Sequence, residues 1–485
     1  MDSIIAANKA DIVIVGAGGA GMPAAVKAAE AGVKNIIILE TRKNIGGNGI
    51  MAGGMWAVES PAQKRIGETY SRDQAFTDKM NYSYWTVDPR VVRTHINITA
   101  EVIEWLEKKG LTFDRVVAFA SGYPRGYHSV NPEKHDGKKG GTLIIETLAK
   151  ECEKWGIKIL TNTTGKKLVL DKDGKITGII AVQENKEIKI ATKAVIIAAG
   201  GFSGNQEMLD KYLPSKGFRL SLSLPHRGEG ILMAEEAGAI VDDCVTTFFI
   251  GPHHYPYTAS LNRLLRRPEM IWVNKRGERF ADESLFVSRL HMTGNPLARQ
   301  PEEICYGLID SKTLEEMIQR KEGWGGFGSD DLSWLDKVHE DFEIDEARGV
   351  AKIGETLDDI ASFTGAKPEM LKDTVERYNS LCDAGYDADM LKEKKFLFPF
   401  RTPPFYAVLG RNGFDATFGG IKINERMEVI SKSYEPIPGL YAAGNNAGSA
   451  INVCYHPMHA GTSMSFAVCS GYIAGKCAAE YVLNQ

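Results

Sequence analysis

Residues 11–40, DIVIVGAGGAGMPAAVKAAEAGVKNIIILE, constrain the fold more than any other stretch of the chain. An apolar run, Ile12–Val15, stops at Gly16-Ala17-Gly18-Gly19-Ala20-Gly21. An alanine-rich helical stretch follows, and a second apolar run, Ile36–Leu39, ends on Glu40. GxGxxG alone is a weak signal. Strand, glycine turn, helix, strand and acid in this order make it a dinucleotide fingerprint. Gly16 permits the tight turn, Gly18 lets backbone amides approach a pyrophosphate, and Gly21 lets helix and strand pack closely. Gly19 and Ala20 complete the turn, and the helix start offers N–H groups and the positive end of its dipole to phosphates. Glu40, followed by Thr41, is placed to accept hydrogen bonds from a ribose.

At 485 residues the chain exceeds one ordinary core, so two or three domains are expected. With 43% hydrophobic and 25% charged residues, no large disordered region is expected. A net charge of −4 provides no basic field, which argues against nucleic acid and anionic membranes as partners. The opening MDSIIAANKAD has neither the basic nor the apolar stretch of a secretion signal, and no apolar run approaches the roughly 20 residues that span a bilayer. A cytoplasmic protein is expected. Seven scattered cysteines without a CxxC, and ten histidines without zinc spacing, predict no metal site. Redox chemistry then falls to the dinucleotide.

A second glycine patch, Gly46-Gly47-Asn48-Gly49 with Gly53-Gly54, suits close approach to a flat ligand. Helical spacing covers 91–109 and 143–155, and short β-type runs at 157–160, 167–170, 176–183 and 187–191 predict a meander on the edge of the nucleotide domain. A further apolar strand, 194–199, ends in Gly200-Gly201-Phe202. From about 248 the texture turns aromatic and rich in histidine and arginine, with a glycine-rich loop at 323–328 and helical patterns at 358–363 and 369–382. The glycine and apolar texture returns after Asp415 and runs into a final helix over about 461–483. The expected division is a nucleotide domain over 6–247, an insertion over 248–416, and the rest of the nucleotide domain over 417–485.

Three separated segments share one pattern: the GAGGAG turn with Glu40, AVIIAAGGFSGN (194–205), and PIPGLYAAGNNAG (436–448) before the terminal helix. Together they resemble the FAD-binding domain of the fumarate reductase/succinate dehydrogenase flavoprotein family, and EGILMAEEAGA (229–239) and VNKRGERFADE (273–283) extend the resemblance. It implies an α/β fold, a Rossmann-like FAD-binding domain with an inserted α+β substrate-capping domain. It also assigns Gly47, Asn48, Gly53, Gly54, Ala199, Gly200, Gly444 and Asn445 to the cofactor. Gly461, Thr462 and Ser463, at the start of the terminal helix, would set positive dipole beside the flavin. Membrane-bound relatives attach flavin through a histidine just after the first glycine patch. GGNGIMAGG has none, so non-covalent FAD is expected.

Fumarate reductases clamp two carboxylates with a histidine before the TxGG turn and an arginine before the terminal helix. Those positions here are Asp415 or Ala416, and Met458. A buried dianion without cationic partners is prohibitively costly, so the resemblance does not extend to fumarate as substrate. Reduction of an activated alkene needs hydride from flavin N5 on one carbon, a proton on its neighbour, and a donor to the activating group. In dicarboxylate reductases the proton comes from an arginine downstream of RFxxE, which points to Arg289. Arg266 takes the place of a second relay arginine, and Arg263 stands where the relay has an acid. A structural ion pair is the plain alternative for each. In the segment Cys454-Tyr455-His456-Pro457-Met458-His459, Tyr455 matches the tyrosine with which related 3-ketosteroid dehydrogenases hold a carbonyl, and His459 is a further catalytic candidate. Two aromatic and basic clusters, His253-His254-Tyr255 with Tyr257 and Tyr123 with Arg125, Tyr127 and His128, are candidates to face the flavin.

The expectation is an FAD-dependent oxidoreductase acting on a CH–CH or C=C bond beside a carbonyl in an enone, steroid-like or polyphenol-type small molecule. An isoflavonoid (tetrahydrodaidzein-type) or ketosteroid reductase is the kind expected. A 3-ketosteroid-type dehydrogenase is the alternative, and an electron-transfer flavoprotein subunit without its own substrate is the rival of another class. NADH, reduced flavin and an electron-donor protein remain open as the electron source.

Overall fold

The computed structural model describes residues 9–485 except 120–121, 214–218, 221–222, 242, 250, 255, 290–291, 324–331 and 453–454. Tyr255, Cys454 and most of the glycine-rich loop at 323–328 lie outside the described residues. A six-stranded sheet runs in the order Glu428–Ile430, Pro436–Ala442, Ala194–Ile197, Ile12–Val15, Ile36–Leu39, Lys158–Leu160, parallel throughout except for its first edge strand. Three of the inner strands, Ile12–Val15, Ile36–Leu39 and Ala194–Ile197, are continuous buried aliphatic runs, as expected where neither face meets water, whereas Pro436–Ala442 is buried along its second half. Helix Gly21–Glu30 packs against the terminal helix Thr462–Leu483 at backbone contact. A Cβ on Gly471 would sit 2.1 Å from the Ala20 carbonyl oxygen, and one on Gly475 would sit 2.2 Å from that of Ala24.

The four short runs expected to form one meander divide between two sheets. Lys158–Leu160 is the outer parallel strand of the central sheet, and Thr163–Leu170, Ile176–Gln183 and Lys186–Ala191 alone form the antiparallel meander. Hydrophobic pattern announces a strand but not the sheet it joins.

The cap is built on an antiparallel sheet ordered Ile271–Val273, Ile304–Asp310, Phe405–Arg411, Ala351–Gly354, with helices such as Leu357–Thr364 and Pro368–Ala384 around it. It has apolar cores of its own. A largely buried charge network closes it: Glu283 meets Arg279 at 2.9 Å and Lys392 at 3.1 Å, and Arg279 meets Asp387 at 2.8 Å. The chain enters the cap along Asp243–Phe249 and leaves along Gly413–Gly420. These two strands pair antiparallel, with Thr247 opposite Thr417, Phe249 opposite Phe414 and a register shift between the two pairs. No helix among the described residues is long and apolar enough to cross a membrane.

Candidate active site

A cavity of about 970 Å³ runs from the C-terminal ends of the central strands to the underside of the cap. Sixteen of the eighteen residues assigned to the dinucleotide line it: Gly16, Gly18, Gly19, Ala20, Glu40, Thr41, Gly47, Asn48, Gly53, Gly54, Ala199, Gly200, Gly444, Asn445, Gly461 and Ser463. The other two act from behind. A Cβ on Gly21 would lie 1.8 Å from the Gly16 carbonyl oxygen, the close helix–strand packing expected of it, and the Thr462 hydroxyl donates to the His459 carbonyl.

The turn itself is shaped for backbone approach. Gly16 has φ +110°, and a Cβ there would meet the Ala198 carbonyl oxygen at 2.3 Å. Glu40 braces this turn as well as facing the cavity: one carboxylate oxygen accepts the Ala17 N–H and the other the Arg42 N–H, both at 2.9 Å. A carboxylate offers roughly four lone-pair directions, so capacity remains for a ribose hydroxyl. Beyond Glu40 the wall is Arg42, Thr163, Thr164, Gly165 and Lys166, with Thr41 and Thr164 hydroxyls 2.5 Å apart. The TTGK run at 163–166 is silent in the sequence, because polar residues at a strand start carry no signature of their own. A cradle of bare backbone, a braced acid and a helix start fit a dinucleotide of the FAD type.

The far end, under the cap, is lined by Phe119, Tyr127, Arg263, Arg266, Phe286, Asp415, Ala416 and Tyr455. Tyr455 is buried, and its hydroxyl oxygen accepts the Ser463 N–H at 2.9 Å. Burial pushes this phenol up from its ordinary value, while the bonds from the helix start oppose that rise. A phenol oxygen that accepts such a bond is a strengthened donor of its own proton. Arg266 is half-buried, with its guanidinium carbon 5.7 Å from the centre of the Phe286 ring. Burial pulls the guanidinium down to about 10, against the opposing pull of the Asp415 carboxylate.

The remaining candidates stand elsewhere. Arg289 is exposed beside Tyr123 and does not line the cavity. His459 is turned away, its ring 4.4 Å from that of Trp56 and its Nε2 2.9 Å from the Tyr70 hydroxyl. Met458 is likewise absent from the wall, whereas Asp415 and Ala416 are on it. His254 is locked in structure, 3.0 Å from Asp345 and 2.6 Å from the Leu409 carbonyl, and His128 is held by Ser60 and Gly126. Among the described residues of the two aromatic clusters only Tyr127 lines the cavity.

The model of the FAD binding domain family matches residues 11–465. A vinyl phenol reductase of Lactiplantibacillus plantarum is 29% identical over 98% of this chain and 97% of its own length. A urocanate reductase of Eggerthella lenta is 30% identical over 90% of this chain and 70% of its own. Among solved structures, a 3-ketosteroid-Δ4-(5α)-dehydrogenase of Rhodococcus jostii superposes with a TM-score of 0.73 at 25% identity, covering 98% of both chains.

Proposed function

We propose that this chain, which belongs to the FAD binding domain family, reduces a carbon–carbon double bond conjugated with a carbonyl or hydroxyaryl group in a neutral, largely apolar molecule. It is an FAD-dependent oxidoreductase. The sixteen assigned residues that line the cavity, with Arg42 and the Thr163–Lys166 wall, would hold the nucleotide, and bound FAD would supply hydride-level, two-electron chemistry.

One observation carries the reading: Tyr455 and Arg266 both line the cap end of the cavity, while the positions that would clamp the two carboxylates of fumarate hold Asp415 or Ala416, and Met458. Tyr455, polarised by the helix-start amide, donates to the oxygen of the activating group. Arg266, its acidity raised by burial, holds the proton destined for carbon. Phe119 and Phe286 exclude water from this end. The likeness to a vinyl phenol reductase along both whole chains supports a neutral aromatic alkene.

The test is stopped-flow reoxidation of the anaerobically reduced holoenzyme by 4-vinylphenol, a Δ4-3-ketosteroid, urocanate and fumarate. Fast reoxidation by a neutral member and slow reoxidation by fumarate is the expected result; the reverse order sinks the reading. Because a donor acting through Arg266 must be protonated, turnover is expected to fall as pH rises through about 10, and a rate that climbs across that range would remove Arg266 from the role.

FAD is held without a covalent bond, since GGNGIMAGG offers no histidine. Acid precipitation should leave a colourless pellet and yellow supernatant; a yellow pellet would contradict this. Reducing equivalents come from a separate donor, for of the two GxGxxG strings, at 16–21 and 323–328, the first alone follows an apolar strand run. Anaerobic titration with NADH and with reduced free flavin separates the candidates. A ketosteroid-type dehydrogenase is the second reading, favoured by the pairing of Tyr455 with the Ser463 amide and by the superposition over both whole chains. Steroid oxidation with an artificial acceptor, without alkene reduction, would select it.

A further inference from the structure

Asp415 enters the cavity on the strand that leaves the cap, two residues beyond Gly413. The missing side chain of Gly413 makes room for His253, since a Cβ there would lie 2.2 Å from the imidazole ring. His253 in turn supports Arg266, whose Nη2 lies 2.6 and 2.8 Å from the two ring nitrogens and whose Nε donates to the Pro252 carbonyl at 3.4 Å. The guanidinium is thus held from behind, with the Asp415 carboxylate and the Arg263 guanidinium acting on its charge in opposite senses. At this end of the cavity donors and an acceptor stand side by side.

An ionised carboxylate accepts several hydrogen bonds and has no proton to give. A substrate carboxylate arriving beside Asp415 meets a like charge, which offsets part of the attraction of Arg263 and Arg266 on the same wall. A substrate hydroxyl finds an acceptor. We propose that Asp415 determines specificity by accepting a hydrogen bond from a hydroxyl on an aromatic ring, so that the substrate class is a neutral hydroxyaryl alkene. This rests on the reading of the chain as a double-bond reductase.

The experiment measures binding to the oxidised holoenzyme, by calorimetry and by perturbation of the flavin absorption, of three ligands that cannot be reduced: 4-ethylphenol, 4-ethylanisole and 4-ethylbenzoate. The wild type should prefer the phenol to its methyl ether by about tenfold or more, the range of a hydrogen bond to a charged group. Asp415→Leu should erase that preference. Asp415→Asn, which keeps shape but not charge, should weaken it and tighten 4-ethylbenzoate. Should the leucine variant not hold FAD, the asparagine variant and the wild-type ligand series decide. Equal binding of phenol and ether by the wild type, or equal shifts of all three ligands in the variants, overturns the assignment. A phenol preference in a protein that reduces no alkene retains the acceptor role and rejects the reductase reading; alkene reduction without the preference does the opposite.

Discussion

Tyr455→Phe is expected to lower turnover about a hundred- to a thousand-fold, the usual loss when one preorganised donor to a developing oxyanion is removed. The phenol is buried and its oxygen is fixed by the Ser463 N–H at 2.9 Å, so little reorganisation is needed as charge develops on the substrate. Phenylalanine keeps the ring, which stacks 5.8 Å from Phe418, and removes only the hydroxyl. Flavin content and melting temperature should therefore barely change, and the loss should appear in kcat more than in KM, as for an interaction made chiefly in the transition state. A change below about threefold would make Tyr455 a packing residue.

Gly18→Ala is expected to leave the fold intact and weaken FAD about ten- to a hundred-fold, the equivalent of one lost hydrogen bond to a charged group. The nearest protein atom to an added Cβ at Gly18 is the Gly46 carbonyl oxygen at 3.7 Å, an ordinary contact, so protein packing does not oppose the methyl. It instead takes space on the wall where phosphate meets backbone. Gly21→Ala makes the control: its methyl would fall 1.8 Å from the Gly16 carbonyl oxygen, so that variant should lose folded, soluble protein as well as colour. Apoprotein circular dichroism and fluorescence titration with FAD separate the cases. Native dichroism with undiminished affinity in Gly18→Ala would remove the turn from the phosphate role.

What could be read from the chain alone follows from how local each signal is. The glycine turn, Glu40 and the start of the terminal helix are backbone demands written in consecutive residues, and they line the cavity or brace it. The strands were visible as apolar runs, but the membership of Lys158–Leu160 depends on a partner, Ile36–Leu39, more than a hundred residues earlier. The arginines show the harder case. Arg266 and Arg289 carry the same chemistry in the sequence, and only packing on His253 and Phe286 turns one toward the cavity while the other meets solvent. His459 sits four residues from Tyr455 yet faces Trp56 and Tyr70, because a 3₁₀ turn, Pro457–His459, rotates successive side chains around its axis.

The sheet order also sets a timetable at the ribosome. Ala194–Ile197, at the middle of the central sheet, lies between Ile12–Val15 and Pro436–Ala442, strands from opposite ends of the chain. The cap's own sheet is finished with Phe405–Arg411. Since domains fold as units while synthesis proceeds at about 5–20 residues per second, stalled nascent chains ending near 450 are expected to yield a protease-resistant cap beside a still-digestible N-terminal region. Resistance of the N-terminal region first would contradict this order. The lid is thus expected to be made before the vessel it closes, and newly synthesised chains would acquire their cofactor only after the final helix has emerged.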